Sequence, residues 1–510
     1  MSISYEISGR RHWAYPIQLQ TRTAWWQLAP VQCGFLIVWS LLLFVYGIHQ
    51  GDLYRTEGLR AVLGAEMYRT GDWVIPRLYG ESILTKPPML YWAIALTGQL
   101  YGEVTVWATR LPAAFAGMLA VLVVWAVFRR YYSPSITLLA ALALPCTGMW
   151  LEKASSAEID TLLIFWVLAA WACFIRLMEV LSQKQSSYQQ LFWWCAALLC
   201  VAGGVLTKWT GFLFFYAMAI PCLFWHRQFW RLFHWHHLLA ALLGVAVVFS
   251  WLGLVINELG WSQVTSMLWK EGAPRVLHGQ NASRTLVLET LAHPFLVLAI
   301  CLPWPIFLVH AWRRKLYHRD AKVPVTMQVM IDRSLWCWAL AGTLMMTFFP
   351  DHNIRQSFSL VPAWTLLGVL ALCRLFQAAA LPSWMQQKPL RALMLALAVW
   401  CVIKIVHVEV LIPARFAKRP SLDEQAFKLQ QAIPITATLY ISKLKDECLM
   451  FHYGREVIRL REWDGIIPTY CLLTAAECAS WPTELASQIK HETPLLNAQC
   501  EPIFLVQLAR

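Results

Sequence analysis

The feature that most constrains this chain is a series of apolar runs, each roughly 18–25 residues long, the length that crosses a bilayer core of about 30 Å as a helix. The runs fall near 31–49, 105–128, 134–151, 159–178, 191–207, 210–225, 237–256, 293–312, 334–349, 357–376 and 391–411, which predicts about eleven transmembrane spans. A large soluble helical core is excluded by the same runs, because too many helices would be apolar all round. Only 14% of the residues are charged, against about 25% in a soluble protein. Trp residues sit where many runs end, at Trp25-Trp26, Trp150, Trp193-Trp194, Trp269 and Trp312, as an interfacial aromatic belt does.

The net charge is +13. In a soluble chain this would suggest nucleic acid. Here the basic residues gather in short loops, at Arg129-Arg130, Lys184, His226-Arg227 with Arg231, Arg313-Arg314-Lys315, and Lys388 with Arg391. These are alternate loops on the side of the N-terminus, so the pattern predicts a cytoplasmic N-terminus and no nucleic-acid partner. An odd number of spans then places the C-terminus outside, in a multi-pass protein of the plasma (inner) membrane. Arg10, Arg11 and Arg22 precede the first run, but that run reads as a span without a small-residue cleavage site.

Three segments between the runs are too long for plain turns. Residues 50–104 hold an amphipathic stretch from Glu57 to Tyr68, a turn at Thr70-Gly71-Asp72-Trp73, and Thr85-Lys86-Pro87-Pro88 opening a second helix. Proline suits a helix start, where its missing N–H would be unpaired anyway. Both helices are expected to lie in the membrane interface. The second segment is 257–292, with Trp269-Lys270-Glu271 and Arg275. The third is the tail, 412–510, which is polar, with strand-like runs at Thr438–Ser442, Glu456–Leu460 and Pro502–Gln507 and a helical stretch near Ala475–Ile489. The chain is thus expected to divide into a membrane domain, 1–411, and a small extracytoplasmic α/β domain, 412–510. Cys448, Cys471, Cys478 and Cys500 lie in that tail, and an oxidising compartment predicts at least one disulfide among them. Their spacing lacks the CxxC pairs of a zinc ribbon.

Ionisable residues collect at the outer ends of the spans. Asp52, Arg55, Glu57 and Arg60 follow the first run directly, with Lys86 further along the same loop. A solvated helix face accounts for Glu66, Arg69 and Asp72. Asp160 starts the fourth run, where an ionisable group is costly unless it faces a cavity or partner; Glu152, Lys153 and Glu158 read as interfacial. Lys208 lies between two runs, where it can snorkel or face an anion. Asp351, His352 and Arg355 form a further outer cluster, and Lys270, Glu271 and Arg275 another. Acids and bases therefore converge on one face. The bases suit a phosphate or diphosphate. The acids suit activation of a hydroxyl acceptor, or a divalent cation, the one cofactor the pattern raises.

The series Arg55-Thr56-Glu57-Gly58-Leu59-Arg60, Glu66-Met67, Gly71-Asp72-Trp73-Val74-Ile75-Pro76, Thr85-Lys86-Pro87-Pro88, Tyr91-Trp92 and Arg110-Leu111-Pro112 resembles the first outer loop of lipid-linked-sugar glycosyltransferases of the GT-C fold. The similar branches are the lipid A aminoarabinose transferases and the protein O-mannosyltransferases, and the resemblance covers about residues 30–375. It implies a polyprenyl-phosphate-sugar donor, a lipid, glycan or protein acceptor outside the cytoplasmic membrane, and inverting transfer. The family's first-loop Asp-Glu pair reads Thr56-Glu57 here, so Glu57 takes the role or Asp52 reaches in. Thr85 stands where the family has an acid, which weakens a carried-over metal site. Lys86, Asp160, Lys208 and Arg355 match family positions. The expectation is that Glu57 orients or deprotonates the acceptor hydroxyl with Asp160 assisting, while Lys86, Arg60 and Lys208, with Arg275 and Arg355 nearby, hold the donor phosphate. The rival is a non-catalytic polyprenyl-lipid binder or transporter, which needs no acid at position 57.

Overall fold

The computed structural model describes residues 24–277, 284–316, 326–349, 353–460, 469–481 and 489–508. The first α-helix among the described residues is α1 (Ala29–Phe44), with Pro30 in its first turn. The first outer loop then forms α2 (Thr56–Thr70), a hairpin of β1 (Arg77–Leu78) and β2 (Glu81–Ser82), and α3 (Met89–Tyr101). Both expected helices are present, and each stops at a left-handed glycine, Gly71 and Gly102. The hairpin turns on Tyr79 and Gly80, at φ 55° and 81°, the paired positive values of a two-residue turn that follows strand twist.

The apolar runs continue as α4 (Val106–Tyr131), α5 (Pro134–Ala143), α6 (Gly148–Lys153), α7 (Ile159–Ser182), α8 (Ser187–Thr207), α9 (Gly211–Trp225), α10 (Trp235–Leu259), α11 (Trp261–Leu277), α12 (Arg284–Ile300), α13 (Trp304–Arg313), α14 (Met327–Thr347) and α15 (Val361–Gln377). After α16 (Ser383–Gln387), α17 (Pro389–Val406) runs through a π turn at His407–Leu411 into α18 (Ile412–Phe416), beyond the expected boundary at 411. Among the described residues, six helices are long and apolar enough to span a membrane, or seven if the pair Leu288–Ile300 and Trp304–Arg313, bent by 101°, is one span. The count of eleven is therefore not reached by length and composition. The run at 134–151 is split between α5 and α6 at a turn, and α1 and α9 are apolar but short.

α7 lies at the centre, packed on α4 and α8, and most of its residues are buried. Two residues assigned to the aromatic belt are instead core. Trp150 stacks on Phe44 at 5.7 Å and Trp194 meets the His237 ring at 4.7 Å; both are essentially fully buried. Trp25, Trp269 and Trp312 are exposed. α10 and α17 are the most open of the long apolar helices; their uncovered apolar faces suit lipid contact.

The tail is mixed α/β, with α19 (Leu422–Ala432), α20 (Glu447–Tyr453) and α21 (Ala475–Ala479). β3 (Leu439–Ile441), β4 (Val457–Arg459), β5 (Tyr470–Thr474), β6 (Ile489–Leu496) and β7 (Pro502–Leu508) form one sheet in the order β4-β3-β5-β7-β6. β3 pairs in parallel with β4 and β5, and β7 antiparallel with β5 and β6. The helix expected over Ala475–Ile489 ends at Ala479, and Ile489 begins a strand. The tail shares its core with the first outer loop: Leu53, Ala61, Leu63 and Met67 pack with Leu422, Leu429, Leu449 and Tyr453. α20 crosses α2 at Gly58, where an added Cβ would stand 2.7 Å from Cys448 N.

The expected disulfide is absent: all four tail cysteines are free. Cys448 is buried in the core shared with the outer loop, while Cys471 and Cys478 belong to a separate cluster on the sheet. Cys500 is exposed, its Sγ 3.3 Å from Lys418 O.

Candidate active site

The outer loop is organised by a residue of the next helix. Arg110 on α4 donates through Nη1 to the carbonyls of Ile48 (2.9 Å), Gln50 (3.0 Å) and Gly51 (3.2 Å), and through Nη2 to that of Asp52 (2.9 Å). These carbonyls belong to the chain leaving α1, which no helix continues to bond. Arg110 also donates to Glu57 Oε1 from Nε at 3.0 Å and to Oε2 from Nη2 at 3.3 Å. Glu57 further accepts from Tyr54 N (3.0 Å) and Ala157 N (2.8 Å). Both oxygens of this buried carboxylate are thus occupied. Arg55, just before α2, has φ 54° and ψ −119°, a strained conformation of the kind that clusters at functional sites.

A second knot forms at Glu158, the residue before α7. This buried carboxylate binds Arg60, Arg355 Nη2 (2.5 Å) and Thr56 Oγ1 (3.1 Å), with Lys153 Nζ at 3.9 Å. One carboxylate therefore faces three cations. Asp160, in the first turn of α7 and also buried, accepts from Lys208 Nζ at 3.3 Å. Arg60 and Lys208, expected to hold a phosphate, are engaged by these internal acids.

Asp52 differs. Its Oδ1 accepts from Leu53 N and from His452 Nε2, each at 2.6 Å, whereas no partner is recorded for Oδ2 among the described residues. It pairs with the tail's His452. His452 Nδ1 lies 2.6 Å from Asp423 Oδ1. Burial works against a charged ring, but the hydrogen bond and charge of Asp52, with those of Asp423, outweigh it and raise His452 above the ordinary imidazole value.

These groups border one cleft, in which six Lys or Arg side chains (Arg55, Arg110, Lys153, Arg355, Lys404, Arg415) face four carboxylates (Asp52, Glu57, Glu152, Glu158). Asp160 and Lys208 stand outside its lining. Lys86 is half-buried at the start of α3 and is also not on the lining, and the side chain of Arg275, on α11, lies outside the described residues, as do Asp351 and His352. Among the described residues no group of three or more His, Cys, Asp or Glu is placed to hold a metal ion.

Four contributors were not singled out by the sequence reading. Arg110 was read only as part of the Arg110-Leu111-Pro112 motif, and Glu158 as interfacial. A glutamate directly before an apolar helix, with an aspartate two residues on, was the available signal for Glu158. Lys404 is a lysine inside an apolar run, and such a residue marks a partner or a pathway by itself. His452 offered no local signal.

Fold and site together define a class: a polytopic, mainly helical protein with a charged cleft beside a small α/β tail. The comparisons agree. The family described as dolichyl-phosphate-mannose-protein mannosyltransferase matches residues 85–253. An undecaprenyl phosphate-alpha-4-amino-4-deoxy-L-arabinose arabinosyl transferase of Pseudomonas aeruginosa is 25% identical over 399 residues, 77% of this chain and 68% of the relative. That of Pseudomonas paraeruginosa is 26% identical over 351 residues, 67% of this chain and 61% of the relative. The crystal structure of ArnT from Cupriavidus metallidurans bound to undecaprenyl phosphate superposes with a TM-score of 0.74 at 17% identity, covering 94% of this chain and 99% of that one. The apo ArnT structure gives 0.66 at 16% identity, covering 93% and 98%. The chain shares the ArnT fold and resembles the lipid-linked-sugar glycosyltransferases, as its first-loop motifs imply.

Proposed function

We propose that this chain is a membrane glycosyltransferase that moves a sugar from a polyprenyl-phosphate donor to an acceptor at the extracytoplasmic face. The observation that carries the reading is the cleft, where six Lys or Arg face four carboxylates beside apolar helices. Such a surplus suits a phosphate whose lipid tail stays in the membrane. The curated relatives are undecaprenyl-phosphate-linked arabinosyl transferases, so undecaprenyl phosphate is the carrier to test first. A lipid acceptor is what the first-loop resemblance to the lipid A aminoarabinose transferases implies, with glycan and protein as the other classes.

Chemically, transfer needs a base for the acceptor hydroxyl and cations for the phosphate leaving group. Asp52 is the best base, because it lines the cleft and its Oδ1 is fixed by His452 while Oδ2 has no hydrogen-bond partner among the described residues. Glu57 acts as a positioning residue, since Arg110 and two backbone N–H groups fill its oxygens. Arg355 and Lys153 border the phosphate, oriented by Glu158. Asp160 and Lys208 support the outer end of α7, and Lys86 approaches the donor from outside the cleft lining. The basic loops support a cytoplasmic N-terminus, with residues 412–510 as an outer domain.

The test is transfer of a labelled sugar from its undecaprenyl-phosphate carrier to membrane lipid by the full chain in nanodiscs, with Asp52→Asn as control. Wild-type transfer lost in Asp52→Asn supports the reading. A wild-type protein that neither binds undecaprenyl phosphate nor transfers sugar overturns it, and one that binds without transferring favours a non-catalytic lipid binder.

A further inference from the structure

We infer that the last apolar helix carries an anion subsite, formed by Lys404 and Arg415 with Arg55, that takes the phosphate of a lipid-linked substrate. The inference rests on the function proposed above. Lys404 sits on α17 among apolar residues and is 1% exposed. A lysine near the end of a membrane helix ordinarily snorkels its ammonium out to water. This one turns inward, onto Ser155 Oγ at 3.1 Å, and borders the cleft. Among the described residues no carboxylate stands within ion-pair distance of it. Ser155 is itself committed, donating to Phe44 O at 3.1 Å. A buried ammonium with one hydroxyl partner is poorly compensated.

The π turn at His407–Leu411 follows Lys404 directly, and such turns are frequent at functional sites because they shift which side chains face inward. Beyond it Arg415 also borders the cleft. Its guanidinium lies 4.9 Å from the centre of the Tyr54 ring, and that of Arg55 lies 5.0 Å from the same ring. Neither forms an ion pair with a carboxylate among the described residues. Two guanidinium groups and an ammonium therefore border one cleft without ion-paired counter-charges. An ammonium and guanidinium forks make a phosphate site, the first as a point charge and the second as paired donors. The support is the helix itself: the outer surface of α17 is apolar and open, so a lipid tail can lie along it while its phosphate turns in.

The experiment is binding of undecaprenyl phosphate, and separately of phosphatidic acid, to the full chain in nanodiscs, followed with the ligand-induced rise in melting temperature. Lys404→Met keeps the stem and removes the charge. It should bind one of the two lipids about tenfold or more weakly, while the ligand-free protein melts no lower than wild type. Loss confined to undecaprenyl phosphate assigns the subsite to the donor, and loss confined to phosphatidic acid assigns it to a phosphorylated acceptor. Arg415→Gln, at an exposed position, repeats the test where Lys404→Met folds poorly and should weaken the same lipid. Unchanged binding of both lipids by both variants overturns the subsite but leaves the proposed function standing. A wild-type protein that binds neither lipid overturns both.

Discussion

His452 and Asp52 meet across the seam between the tail and the first outer loop, Nε2 to Oδ1 at 2.6 Å. The opposite ring nitrogen is held at the same distance by Asp423. One imidazole thus joins a carboxylate of the cleft to one of the α/β tail.

This tie should depend on pH. His452 is raised above its ordinary value, so its contribution is fully present below the unfolded value of about 6.5 and is lost as pH climbs through the higher folded value. Hydrogen exchange in α20 should therefore quicken as pH rises from neutral into the mildly alkaline range, after correction for intrinsic rates. His452→Gln should flatten that dependence. An equal slope in wild type and variant would refute the tie.

Glu57 and Asp52 should separate stability from chemistry. Glu57→Gln leaves Arg110 buried against a neutral amide, a loss of about 3–5 kcal/mol. Asp52→Asn should cost about 1 kcal/mol, as its side chain is partly open, yet should slow transfer about 10²–10⁴-fold. Thermal melts beside transfer assays decide the point. A Glu57→Gln protein that melts like wild type but is inactive would return the base to Glu57.

Gly58 is a packing constraint, because its Cβ position is filled by the Cys448 backbone and sulfur at 2.7 Å. Gly58→Val should push α20 off α2 and cost about 1–3 kcal/mol. Limited proteolysis should then release the tail sooner than in wild type. An unchanged cleavage rate would show that the helices do not meet there.

The tail thiols should all be titratable by mass spectrometry. Cys500 should alkylate in the native protein, whereas Cys448 and Cys471, both buried, should react only after denaturation. A bridged peptide from protein taken from its native membrane would contradict the free thiols.

The membrane helices were legible in sequence because a long apolar run is a local signal. Where such a run breaks, as between α5 and α6, the turn is set by packing around Trp150 and Trp304, which no local pattern reports. The two helices of the first outer loop were legible from their Gly and Pro punctuation. The wiring of the site was not. Glu158 meets Arg60 across 98 positions and Arg355 across 197, and Asp52 meets His452 across 400. Individual charges could be found in the sequence, but the identity of their partners depends on the fold. For that reason neither the hold of Arg110 on Glu57 nor the approach of Lys404 to the cleft could be read from the sequence.

Gly47 and Gly51, at φ 73° and 68°, lie flush against Val408, Ile412 and Phe416 of the final helical segment, leaving no room for a side chain. The wall of the cleft is consequently a join between an early and a late part of the polypeptide. During synthesis the loop after α1 emerges long before its counterpart has left the ribosome. Until the late segment inserts, the loop has its acids and Arg110 but no closed cavity. A nascent or prematurely terminated chain is therefore expected to be inert toward the lipids around it, and competence should arrive in a single step when the late helix docks.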